Sequence, residues 1–220
     1  MADPHIVEFL TRILILFFAI GIHEYAHCKF ADMAGDPTPS YYGRVTLNLF
    51  KHFEPVGTMM ILLTSWVGFG IGWGRPAPMN PRNMRNPRWD WFLAVIAGPL
   101  SNLAQAILFA SLFRLATRTG ILMTLPDQAS AFVLILFFQG VVINLALFFF
   151  NLIPFGPLDG HWLVGLLLPE PARNQWFQFN RQVGTMGLFF VIIFLQTQHV
   201  SLIQVPLIHS AEVLLGMKLT

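Results

Sequence analysis

The chain has 220 residues, 55% of them hydrophobic and 11% charged, with a formal net charge of +2. A soluble domain carries about a quarter charged residues, so the composition excludes an ordinary soluble domain. Apolar runs near or above spanning length recur along the chain and indicate a multi-pass membrane protein, an all-α bundle of transmembrane helices. No nucleic-acid partner is expected; the partner the composition implies is the lipid bilayer. The single cysteine, Cys28, excludes an internal disulfide. The first apolar run lacks the small-residue cleavage site of a signal peptide. With no repeat, low-complexity tract or appended soluble domain, residues 1–220 are expected to form one membrane-embedded domain.

In chain order, residues 5–33 read as a first helix ending near "MAGDP". Residues 35–55 are polar and turn-rich, and within them "GRVTLNL" alternates Val45, Leu47 and Leu49 on one side, a short strand signal. Next comes "VGTMMILLTSWVGFGIGWG", whose closing alternation of Gly68, Gly70, Gly72 and Gly74 disfavours helix. A basic, proline-rich loop, "RPAPMNPRNMRNPRWDW", follows. Residues 91–116 and 131–153 are strong spans, and the second runs into "NLIPFGPLDGHW". Residues 183–198 make a further span. Residues 200–216 are apolar but interrupted by Pro206.

The first span contains "HEYAH", residues 23–27, an H-E-x-x-H pattern. Positions i and i+4 share a helix face, so His23 and His27 can hold one metal ion together, and Glu24 can act as general base on a water. Zinc is the expected metal, because a catalytic zinc takes three protein ligands and keeps a fourth position open. Three polar groups within five residues of an apolar helix need compensation for their burial. One ligand is still missing. Asp32 and Asp36 flank the helix exit, Asp90 lies in the basic loop and Asp127 between spans. Asp159, in "NLIPFGPLDG", follows an apolar helix and is the choice made here; on spacing alone, an Asp-Gly turn accounts for it equally well.

Taken together, "HEYAH" in the first span and "NLIPFGPLDG" after a later one resemble the site-2 protease family of intramembrane zinc metalloproteases. The family pattern is H-E-x-x-H followed by N-x-x-P-x-x-x-L-D-G, matched here by Asn151, Pro154, Leu158, Asp159 and Gly160. "GRVTLNLFKHFEPVGT", "GWGRPAPMNPRNMRNP" and "AGPLSNL" are similar to the compact bacterial and archaeal branch, without PDZ or CBS domains. The resemblance covers about residues 20–165. It implies His23, His27 and Asp159 as zinc ligands and Glu24 as catalytic base. The implied substrate is a transmembrane protein or peptide, cut in or near its membrane segment. The rival reading is a metal transporter or sensor that binds zinc without hydrolysis, but such a site needs no base beside its ligands.

His23 and His27 lie in the C-terminal half of their helix, and Asp159 lies past the C-terminal end of residues 131–153. One ion is reached from both only if those helices run in the same direction. Residues 91–116 supply the crossing between them, so residues 56–74 are expected to dip in and return. One side then holds Lys29, Arg44, Lys51, Arg75, Arg82, Arg85, Arg88, Arg173 and Arg181; the other holds mainly Arg118, with Arg114 at a span end. The positive-inside rule makes the first side cytoplasmic. The centre is expected within a prokaryotic inner membrane, nearer the cytoplasm.

Asn144 and Asn151 are seven apart and share a face. Asn151 belongs to the family motif and is read as a catalytic residue that binds substrate backbone or donates to a developing oxyanion. Asn102, in "GPLSN", is open between function and helix packing. His161 is open between a supporting donor for Asp159 and an interfacial histidine. His52 is read as structural in a cytoplasmic loop, Cys28 as a packing residue, and the arginines of residues 75–88 as a topology signal. "GRVTLN" and residues 68–74 offer edges to which an extended substrate could add.

Overall fold

A computed structural model of the chain describes residues 3–68, 70, 72–197 and 204–219, with the backbone alone for 191–197. The described residues are helical, with no strand. The helices are α1 (Pro4–Met33), α2 (Thr38–Tyr41), α3 (Pro55–Trp66), α4 (Trp89–Thr119), α5 (Asp127–Asn151), α6 (Asp159–Leu167), α7 (Ala172–Thr197) and α8 (Gln204–Leu215). Of these, α1, α4 and α5 are long and apolar enough to cross a membrane.

Helix α1 begins where Asp3 accepts from the His5 N–H and Pro4 occupies the first turn, both strong start signals. It ends in a Schellman arrangement. Gly35 takes φ +102°, its N–H donates to Asp32 O, and the Asp36 N–H donates to Ala31 O. Ile6, Leu10, Leu14 and Phe18 form an exposed apolar stripe along one side. In water such a stripe would be unfavourable; against lipid it is the expected surface. The opposite side packs on α4 through small residues: Ala31 packs with Ala94, and Gly98 lies against His23 and His27. Small side chains let membrane helices approach closely.

The directions follow from the pairings. His27 lies against Ala94 and His23 against Asn102, so α1 and α4 are antiparallel. Asn102 meets Asn144, and Phe109 covers Gly140, so α4 and α5 are antiparallel too. Thr11 bonds Gln139, while Leu16 and Ile20 pack with Ile143 and Leu147. Helices α1 and α5 therefore run in the same direction, as the shared site requires.

Helix α3 has 12 residues, about 18 Å at 1.5 Å per residue, well short of the ~30 Å hydrocarbon core. Its tip reaches the start of α1, where Trp66 meets His5 and Phe9 edge-on and Arg12 Nη1 donates to Ser65 O at 2.8 Å. The chain then turns back along α1 until the Arg75 N–H donates to His52 O at 2.7 Å. Residues 53–75 are thus a hairpin that starts and finishes at one level, as expected. Gly57 and Gly72 permit it: a Cβ on Gly57 would lie 2.1 Å from Trp73 O, and one on Gly72 2.6 Å from Gly57 O. Phe69 and Ile71, part of the alternating glycine segment, lie outside the described residues.

The strand expected at "GRVTLNL" is absent; residues 43–48 are turns and bends leading into a short 3-10 turn, Leu49–His52. Alternation alone does not make a strand without a partner ladder. The side chain of Arg44 takes that place, bonding the Arg75 and Pro76 carbonyls. Helix α5 stops at Asn151, two residues before the expected end, because Pro154 disfavours helical backbone just before it. Helix α7 starts eleven residues earlier than the span expected at 183–198, with Gln198 outside the described residues. In the 200–216 stretch, residues 200–203 are likewise outside. Helix α8 holds Pro206 in its first turn, where the missing N–H has no helical partner to lose. Ala211 and Leu215 pack against Ala106, Ala110, Val141 and Leu145 of α4 and α5.

Candidate metal centre

His23 and His27 are buried one turn apart on α1. Asp159 is the first residue of α6, carried there by the turn residues 152–158 that follow α5. Close approach of α6 to the end of α5 depends on Gly160, where a Cβ would lie 2.4 Å from Leu152 O and 2.3 Å from Ile153 O. The glycine of "LDG" is therefore a packing requirement, and the Asp-Gly pair is more than a surface turn.

The three side chains converge. His23 Nε2 and His27 Nε2 are 3.0 Å apart, and Asp159 Oδ2 lies 3.2 Å and 3.3 Å from them. One ligand atom from each fits within 4.8 Å of the others. The outer nitrogens are held as well: His27 Nδ1 is 2.8 Å from Ala94 O, and His23 Nδ1 is 2.7 Å from Asn102 Oδ1. A carbonyl can only accept, so His27 Nδ1 carries a hydrogen, and in the neutral ring Nε2 then presents a bare lone pair. Asp159 Oδ2 is buried and receives no hydrogen bond. An orphaned carboxylate oxygen between imidazole nitrogens is the donor set that a cation satisfies. Two imidazoles and a carboxylate suit zinc at a site with an open fourth position.

Gly98 of α4 closes the floor. A Cβ there would stand 2.3 Å from His27 Nε2 and 2.8 Å from His23 Cε1. No role for Gly98 follows from the sequence; the available signal is a Gly-Pro pair in an apolar helix, four residues before Asn102 on the same face. Glu24 follows His23 on the helix and is half-buried. The returning arm of the α3 hairpin crosses it: a Cβ on Gly74 would lie 3.0 Å from Glu24 Cγ and 3.0 Å from His52 O.

His52, read as structural, is fully buried. Its Nε2 is 3.0 Å from Thr46 O, and its Nδ1 lies 3.5 Å from Arg44. Burial pushes its pKa down and the Arg44 charge adds to this, against the pull of the Thr46 carbonyl. With Arg44 it fastens residues 43–53 to the hairpin's returning arm. His161 does not support Asp159; its Nδ1 pairs with Leu158 O and its carbonyl accepts from Trp176. The Asn151 amide donates to Leu147 O at 3.0 Å, within its own helix.

The matches to known proteins agree with this chemistry. A model of peptidase family M50 matches residues 116–195. A protein of Bacillus subtilis (strain 168), named "Putative zinc metalloprotease YwhC", is 37% identical over 166 residues, 76% of this chain and 73% of that one.

The chain belongs to peptidase family M50.

No solved structure matches it. The window matched by the M50 model holds Asn151 and Asp159 but not the His23–His27 pair. In this M50 peptidase it is the antiparallel packing of α1 on α4, and of α4 on α5, that brings the pair to Asp159.

Proposed function

We propose that His23, His27 and Asp159 are the zinc ligands of this intramembrane M50 metalloprotease, that Glu24 is its general base, and that residues 1–220 form one membrane-embedded domain. The single observation that carries the ligand reading is Asp159 Oδ2, buried without a hydrogen bond at 3.2 and 3.3 Å from two imidazole nitrogens. Held by these three side chains, a zinc ion would supply Lewis-acid chemistry, polarising a peptide carbonyl and lowering the pKa of a water toward neutrality. Glu24 takes the proton as the water oxygen bonds to the carbonyl carbon. It returns that proton to the amide nitrogen as the C–N bond breaks. Each histidine would offer Nε2 to the metal while its Nδ1 hydrogen is held by Asn102 Oδ1 or Ala94 O. Asn151, at the end of α5, supplies an amide for the substrate backbone or for the oxygen that gains charge.

The substrate class is a transmembrane segment of another protein, supported by the place of His23 and His27 within the apolar spanning helix α1 and by the exposed apolar stripe Ile6, Leu10, Leu14 and Phe18 on the same helix. Arg85 and Arg88 lie at the end of the bundle where α1 ends and α4 begins, which the positive-inside rule assigns to the cytoplasm. The centre then lies within the bilayer nearer that side. A bacterial relative supports a prokaryotic cell membrane.

The test uses detergent-purified protein, zinc per chain, and cleavage of a single-span protein. His23→Ala, His27→Ala and Asp159→Ala are each expected to lose most of the bound zinc. Glu24→Gln keeps zinc and loses cleavage. Asn151→Ala keeps zinc and loses about a hundred- to a thousandfold in turnover. Full zinc retention by Asp159→Ala, or wild-type cleavage by Glu24→Gln, would overturn the corresponding assignment.

A further inference from the structure

Four buried polar contacts behind His23 form a directed chain. The Asn144 amide Nδ2 donates to Gly140 O at 2.9 Å. A backbone carbonyl cannot donate, so this contact fixes which end of Asn144 is nitrogen. Its Oδ1 must then face Asn102, whose Nδ2 lies 3.1 Å away. The same Asn102 nitrogen is 3.1 Å from Ala19 O, a second pure acceptor. Both hydrogens of Asn102 Nδ2 are thereby used, and its Oδ1 is left pointing at His23 Nδ1, 2.7 Å off. An acceptor at that distance requires a hydrogen on Nδ1, which in the neutral ring leaves Nε2 bare. Asn102 and Asn144 are both fully buried, so no solvent competes for these bonds.

We infer that Asn102, set in orientation by Asn144, fixes the ring of His23 in the one neutral form that presents Nε2 to the metal, making both asparagines positioning residues of the centre. The inference rests on the reading of His23 as a ligand. It also accounts for two amides inside an apolar three-helix core, where an unpaired one would be costly. His27 obtains the same hydrogen placement from a backbone carbonyl, Ala94 O. His23 has no such carbonyl at Nδ1, so a side chain serves, and its direction is inherited from α5.

The test measures the zinc dissociation constant of the detergent-solubilised full chain by chelator competition. Asn102→Leu removes the acceptor and is expected to weaken zinc binding about 10- to 100-fold, the usual effect of losing a ligand's hydrogen-bond partner. Asn102→Asp keeps an acceptor for Nδ1 while giving up both donated bonds, and is expected to bind zinc within a few-fold of the wild type. Asn144→Leu is expected to fall between the two. A purely interhelical role predicts another pattern, in which Asp fails as badly as Leu. That result, or wild-type affinity in Asn102→Leu, overturns the inference; wild-type affinity in Asn144→Leu removes Asn144 from it. A second measurement needs no variant: in zinc-loaded, 15N-histidine-labelled protein, His23 should carry its proton on Nδ1, and a proton on Nε2 overturns the inference. His23→Ala separates the two levels. If it keeps zinc, the ligand reading fails; if it loses zinc while Asn102→Leu does not, only the positioning role fails.

Discussion

At the scale of single residues, the centre depends as much on what is absent as on what is present. Gly98 faces two imidazoles whose outer nitrogens are already tied to Ala94 O and Asn102 Oδ1, so neither ring can retreat from an added methyl. Overpacking of this kind costs about 1–3 kcal/mol. Expressed on zinc binding, Gly98→Ala should raise the dissociation constant roughly ten- to hundredfold, with helical circular dichroism unchanged. Zinc titration checks this, and an unchanged constant would mean that α4 does not lie under the ligand pair. Arg12 is a second residue whose role only the structure reveals. A charge inside a spanning helix is costly unless partnered, and here it caps the tip of α3 through Ser65 O.

At the scale of elements, the loop before α4 braces both helices that carry the His23, His27 and Asp159 group. Arg85 donates to Met33 O at the end of α1, and Arg88 donates to Leu166 O at the end of α6. Cations at helix C-termini satisfy the last carbonyls and oppose the dipole, so these arginines do more than signal topology. Asp36 anchors the same loop from the other side. Fully buried, it accepts from the Thr38 N–H (3.0 Å), the Asn80 N–H (2.6 Å) and Asn83 Nδ2 (3.0 Å). Burial alone would raise its pKa; these donors outweigh burial and hold it below the usual carboxylate range. A lowered pKa means that the ionised form stabilises the fold. That contribution is full above the ordinary carboxyl range and is lost as pH falls through the depressed value. Asp36→Asn turns an amide group toward one of the converging donors and should cost about 1–3 kcal/mol near neutral pH. The gap between the two proteins should close in acid. Thermal unfolding against pH checks both points; a gap that widened as pH fell would reverse the assignment.

At the scale of the whole molecule, the bundle has two ends. Ser40 and Arg85 are exposed at the end where α1 finishes: Ser40 bonds Asp32, and the Arg85 N–H donates to Ala34 O. Met123, 93% exposed, lies in the connection between α4 and α5 at the other end. Single cysteines at 40, 85 and 123 in a Cys28→Ser background should therefore divide two to one under a membrane-impermeant thiol reagent. Positions 40 and 85 should label together from the cytoplasmic side, and 123 only from the opposite side. Labelling of 40 and 85 from opposite sides would require residues 53–75 to cross the membrane, against the hairpin closed by Arg75 and His52.

The sequence by itself determined the membrane class, the three long spans and the His23–His27 pair on one helix face. Each of these is a local property. Apolar runs longer than a bilayer is thick must be helical, and i, i+4 histidines share a face wherever the helix goes. Parity also led to the expectation that the α3 segment returns, because His23, His27 and Asp159 meet only if an odd number of crossings separates α1 from α5, and α4 is one. Only the tertiary structure decided which groups support that centre. Asn102, Asn144, Gly98 and Ala94 act across helix interfaces, and what they touch depends on the register of α4 against α1 and α5. Close packing of Ala and Gly surfaces fixes that register, and spacing along one helix does not encode it. The "GRVTLNL" alternation shows the converse. A pattern suited to a strand became irregular backbone, because a strand is made by its partner, and here the Arg44 side chain bonds the carbonyls of the returning arm instead.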